Sequence, residues 1–77
     1  MLNKFGKPSK RDIEAALQDW PSCNEFLRGA TEAEAEAILI TERQGKRRTQ
    51  FLLRAHARFN RQRGKRERAE LLSVAGD

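Results

Sequence analysis

The sequence predicts an all-α fold: a small helical domain in which a helical hairpin ends in a long basic helix and short N-terminal helices pack on it. Three observations carry this. Ser9, Ser22 and Thr31 each precede an acid by three positions, the spacing of a helix-capping box. Apolar residues recur at intervals of three and four, which lines one face of a helix. No alternating run of Val, Ile, Thr or Tyr appears, and no Asn-Gly or Asp-Gly pair marks a hairpin turn.

The first helix is expected over residues 10–19, opened by Ser9 with Asp12. Ile13, Ala16, Leu17 and Trp20 fall at i, i+3, i+4 and i+7, and Pro21 is expected to stop the run. Ser22 with Glu25 opens a short second turn, Asn24 to Arg28, which offers Phe26 and Leu27 and closes at Gly29. Thr31 with Glu34 opens a third helix over residues 32–44. Its Glu-Ala repeat alternates, but both residue types favour helices and disfavour strands. Acids in its first turn suit the positive end of the helix dipole. Ala35, Ile38 and Leu39 form its inner edge, and Gly45 breaks it. A fourth helix is expected from about residue 47 to 63, continuing past Gly64 to Leu72, with Phe51, Leu52, Ala55 and Phe59 facing one way. Residues 1–72 read as one helical domain and residues 73–77 as a frayed tail.

With 77 residues, 38% apolar and 35% charged, the chain has room for one lean core. A dimer would supply apolar contact that a monomer lacks, so self-association stays open. Cys23 is the sole cysteine, which excludes an internal disulfide and a cysteine-based zinc site. No apolar run resembles a signal peptide or approaches the roughly 20 residues of a membrane span. The expected compartment is the cytoplasm.

Charge is segregated along the chain. Residues 1–11 carry four cations and no acid, and residues 12–42 carry eight acids against Arg28. Residues 43–68 then carry eleven cations against Glu67. A surface selected for solubility alone would mix the signs. On a helical wheel Arg47, Arg54, Arg58, Arg61, Lys65 and Arg68 share an arc of roughly 80°, beside the apolar face, in a row roughly 31 Å long. Arg48 adds to the basic cluster. Such a row suits phosphate neutralisation, and the planar guanidinium grips phosphate oxygens in pairs. Gln50, Asn60 and Gln62 stand near it as further polar contacts. Its even spacing predicts that Lys can replace Arg, since a repetitive partner counts charges. The bland alternative is a solvated helix face, but residues 43–66 contain no acid with which such a face would interleave. The other partner such a row fits is an acidic protein surface.

Several chemistries fit the sequence poorly. Polar Gln44 and Lys46 flank Gly45 where a helix–turn–helix needs apolar packing. The absence of Tyr, and the place of Trp20 on an apolar face, disfavour a stacking platform for single strands. His56 has no second His and no Cys partner, and is expected to be packed or half-exposed. Cys23 reads as a small buried hydrophobe. No paired-carboxylate site, phosphate loop, metal site or cofactor site can be assembled, so no catalytic residue is assigned and the chain reads as a binding protein, not an enzyme.

The run Thr31-Glu32-Ala33-Glu34-Ala35-Glu36-Ala37-Ile38-Leu39, then Gly45-Lys46-Arg47-Arg48, Leu53-Arg54-Ala55-His56-Ala57-Arg58-Phe59-Asn60 and Arg66-Glu67-Arg68-Ala69-Glu70-Leu71, resembles a class of small, mostly uncharacterised bacteriophage-encoded helical accessory proteins. The resemblance implies a phage accessory protein in the host cytoplasm, which handles nucleic acid, DNA or RNA, or disables a host factor. It supplies no functional residues.

Overall fold

The computed structural model describes residues 9–75, which form helices α1 (Lys10–Ala16), α2 (Trp20–Arg28), α3 (Glu32–Gln44) and α4 (Thr49–Ala75), with no strand among the described residues. The expected all-α fold is the one observed. The basic residues Lys4 and Lys7, and Gly76 and Asp77 of the expected tail, lie outside the described residues.

Both outer capping boxes form. The Ser9 hydroxyl accepts from the Asp12 amide at 3.1 Å and the Thr31 hydroxyl from the Glu34 amide at 3.2 Å. Each acid accepts from the backbone N–H of its cap in return, so two otherwise unpaired amides are satisfied at each helix start. The middle box does not form. Asp19, not Ser22, caps α2, accepting from the Ser22 amide at 2.8 Å, while Glu25 pairs with Arg28 on the surface. Pro21 therefore opens a helix instead of ending one. It sits in the first turn of α2, where its missing N–H leaves no bond unmade. As a result α1 stops at Ala16, and Trp20 belongs to α2.

α3 and α4 make the expected hairpin, and α1 and α2 lie across it. The core joins Ala16 of α1, Cys23 and Leu27 of α2, Ala30, then Ala35 and Ile38 of α3, and Phe51 and Ala55 of α4. Ile13, Leu17, Trp20, Phe26, Leu39 and Phe59 pack around it half-buried. Trp20 meets Phe51 edge to face, with ring centroids 5.3 Å apart, joining α2 to α4.

α4 has 27 residues, about 40 Å at about 1.5 Å per residue, and it outruns the body it packs on. It passes through Gly64 without a break and continues beyond Leu72 to Ala75. Every residue from Arg63 to Ala75 is exposed. Among the described residues its last tie to the body is the Arg66 guanidinium, whose Nε donates to Glu32 at 2.7 Å.

Candidate functional site

The basic residues of the C-terminal half divide into two groups according to what meets their guanidinium groups. The first group is consumed by the fold. Arg48 donates through its backbone N–H and its Nε to Glu42 Oε2, both at 2.8 Å, and through Nη2 to Glu42 Oε1 at 2.9 Å. Nη2 also donates to the Leu17 carbonyl at 2.9 Å, and the guanidinium carbon lies 3.6 Å from the centre of the Phe51 ring. One side chain thus ties the end of α1, the end of α3 and the start of α4 together. The Glu42 side chain is 2% exposed, and its hydrogen bonds from Arg48 hold its carboxyl below the usual carboxylate range. Arg48 belongs to this joint, and sequence spacing alone does not separate it from the cations of the surface.

Arg47 is not on α4. It occupies the connection between α3 and α4 with φ 55°, the left-handed region, and its amide donates to the Glu42 carbonyl at 2.9 Å. Its Nε donates to the Arg43 carbonyl. The even row expected from residue 47 therefore begins at Arg54, because Gly45 ends α3 and the chain needs Lys46–Arg48 to reverse direction. Arg66 also serves the fold, with Glu32 and Glu70 both on its guanidinium at 2.7 and 3.0 Å. That pairing lowers the Glu32 carboxyl below its ordinary value. Arg63 bonds Asn60 and lies over the Phe59 ring.

The second group has no carboxylate partner among the described residues. Arg54, Arg58, Arg61, Lys65 and Arg68 follow one another at spacings of four, three, four and three, on the side of α4 that borders α2. The row is about 21 Å long at about 1.5 Å per residue. Glu67 and Glu70 are on the opposite side of the wheel. Arg54 Nε donates to Asn24 Oδ1 at 3.1 Å and Arg58 Nε to the Ala30 carbonyl at 2.9 Å. Both acceptors are neutral, so these contacts aim the guanidinium groups without cancelling their charge. Arg61, Lys65 and Arg68 are exposed. Arg28, at the end of α2, joins Arg54, Arg58 and Arg61 around a cleft of about 230 Å³. Nothing in the charge pattern singles out Arg28, which stands alone among acids, 26 residues before Arg54.

No known family, curated protein or solved structure matches the chain. What the surface can do follows from its own chemistry.

His56 is exposed, beyond the half-exposed position expected for it, with Asn60 Nδ2 at 3.2 Å from its ring. Cys23 is buried and burial pushes its thiol up, which makes it a poor nucleophile. Among the described residues no group of three or more His, Cys, Asp or Glu could hold a metal ion, and no helix is long and apolar enough to cross a membrane. Of the polar residues near the row, Gln50 is exposed, Gln62 is half-buried, and Asn60 is engaged by His56 and Arg63.

Proposed function

We propose that this is a phage-type accessory protein, acting in the host cytoplasm, that binds nucleic acid through the Arg-rich face of α4. One observation carries the reading. The fold neutralises Arg48 and Arg66 with Glu42, Glu32 and Glu70, yet among the described residues Arg54, Arg58, Arg61, Lys65 and Arg68 meet no carboxylate closer than 4 Å. A row of like charges is electrostatically costly unless a polyanion completes it. Groups that contact phosphates in this way bind by releasing counterions, with little sequence preference.

The test is the salt dependence of duplex binding, DNA and RNA in parallel. Five phosphate contacts give a log–log slope of about −4.5 on duplex DNA. Arg61, Lys65 and Arg68 are exposed, so replacing all three with Ala leaves the core intact and should make the slope about 2.7 units shallower. A flat salt response, or a triple variant that binds as the parent does, refutes the reading.

A second reading is supported by the end of the same helix. Leu71, Leu72 and Val74 are 64–75% exposed where α4 leaves the body. Apolar side chains adjoining a basic row suit an inhibitor or adaptor that docks on the acidic surface of a host protein. Changing Arg61 and Arg68 to Lys separates the two readings. Phosphate binding survives it, because both positions keep their charge and neither is anchored, whereas a carboxylate that grips a guanidinium in two places loses its partner.

A further inference from the structure

We propose that Arg28, Arg54, Arg58 and Arg61 form a discrete phosphate-binding cleft between α2 and α4, which seats one phosphoryl group of the bound nucleic acid. The proposal rests on the nucleic-acid reading for its ligand, but it makes a narrower claim: a formed pocket instead of a uniform charged rail.

Three features support it. The first is convergence. Arg54, Arg58 and Arg61 come from successive turns of one helix and Arg28 from another, and apart from Ala57 these four line the cleft. The second is aim. Arg54 and Arg58 each commit Nε to a neutral acceptor on or just after α2, Asn24 Oδ1 and the Ala30 carbonyl. With Nε fixed, each guanidinium keeps its two terminal nitrogens as a paired set of donors, the geometry that grips two oxygens of a phosphate. Both side chains are half-buried, so part of the entropy of ordering them is already lost before a ligand arrives. The third is charge. Among the described residues the one carboxylate paired with any of the four is Glu25, 3.3 Å from Arg28, in a pair whose side chains are about three-quarters exposed. Such a pair is weak and yields readily to a better anion. Arg28 and Arg61, both exposed, can then close over a phosphoryl group that Arg54 and Arg58 hold from below.

The test uses the intact protein and inorganic phosphate, with ionic strength held constant by chloride. Arginine Nε–Hε resonances are followed by nitrogen–proton correlation spectroscopy. The expected result is a saturable shift at Arg54 and Arg58 with millimolar phosphate, absent with chloride alone. Arg28→Ala, a change at an exposed site, should weaken it roughly tenfold through loss of charge-assisted hydrogen bonds. Shifts that follow ionic strength whatever the anion, or an Arg28→Ala variant that titrates like the parent, overturn the cleft.

Duplex binding by the same variant keeps this outcome separate from the broader reading. Normal duplex affinity in Arg28→Ala, with no specific phosphate shift, removes the cleft and leaves the basic face in place. A saturable, Arg28-dependent phosphate shift in a protein that binds no duplex keeps the cleft and removes the nucleic-acid reading. Duplexes with 5′-phosphate and 5′-hydroxyl ends then identify the source of the phosphoryl group. Equal Arg28-dependent binding assigns the cleft to the backbone, and a preference for phosphorylated ends assigns it to strand termini.

Discussion

Replacing Glu42 with Gln tests the joint at the α3–α4 turn. The carboxylate accepts three hydrogen bonds from Arg48, one from its backbone and two from its guanidinium, at 2.8–2.9 Å. Gln keeps one acceptor oxygen, which can still receive the Arg48 amide. Its NH2 group, however, opposes a guanidinium donor, and the ion pair is gone. Breaking a fully buried pair costs about 3–5 kcal/mol. Here the Arg48 side chain is 27% exposed and water compensates it in part, which brings the expected loss to about 2–3 kcal/mol. A chain of this size has about 4–12 kcal/mol in all, so the midpoint of a urea transition should fall markedly. The assay is urea unfolding followed by Trp20 fluorescence, since Trp20 touches the Phe51 ring that Arg48 covers. The pH dependence gives a second readout. Glu42 has its carboxyl lowered on folding from an ordinary value of 4.5, so its contribution is complete above about that pH. It is lost as pH falls through the lower, folded-state value. Glu42→Gln should therefore lose most stability at neutral pH and progressively less toward acid. A variant within about 0.5 kcal/mol of the parent at pH 7, or an equal deficit at all pH values, refutes the account of Arg48 as a structural cation.

Three further outcomes follow from the packing. Trp20→Ala should cost about 2–3 kcal/mol, less than a fully buried Trp because Trp20 is half-buried, and a thermal melt unchanged within a few degrees would place it outside the core. Asp19→Ala should cost about 1 kcal/mol by removing the α2 cap while Ser22→Ala costs a few tenths at most, so equal losses in urea unfolding would restore Ser22 as the cap. Gly64→Ala should raise the helical signal in the far ultraviolet and stabilise α4 by about 0.5–1 kcal/mol, because an added methyl meets nothing within 4 Å; a fall in helicity would mean that Gly64 is there for a bend.

The parts legible in the sequence were those fixed by local chemistry. Ser9 and Thr31 are followed three residues later by acids and nothing nearby competes with them, so both helix starts were correctly placed, as were the ends of α3 at Glu32 and Gln44. The second helix starts earlier than its Ser22 signal predicts because two capping signals overlap there. Asp19 lies three residues before Ser22, and its carboxylate takes the Ser22 amide, which leaves the hydroxyl of Ser22 without a capping role. Pro21 fits the start of a helix as well as the end of one, and only the cap decides which. In the basic region helical spacing groups Arg54, Arg58, Arg61, Lys65 and Arg68, but the same spacing includes Arg47, which does not enter the helix. Spacing also carries no information on Arg48, whose partners Glu42 and Leu17 lie 6 and 31 residues away. Even spacing also hides the difference between the Arg residues of the row: Arg54 and Arg58 use an Nε–H that lysine lacks, so exchange for Lys is a clean test of charge only at unanchored positions such as Arg61.

The reach of α4 beyond the body divides the molecule thermodynamically. Residues 67–75 are all exposed, and melting them uncovers almost no further apolar surface, so it adds little to the heat capacity of unfolding. A segment of nine residues is below the length at which a helix sustains itself in water. Its amides should therefore exchange with solvent by local fraying, at a free energy well below that of the amides around Ile38 and Ala55. Lys65, beside the last anchor at Arg66, and Arg68, just past it, stand at the boundary between these two regimes. A polyanion that engages them must also order the turn that carries them, and the entropy of that ordering offsets part of its binding free energy. Ligand-induced protection from exchange should accordingly be largest at the end of the helix, farther along the chain than most of the contacts that produce it.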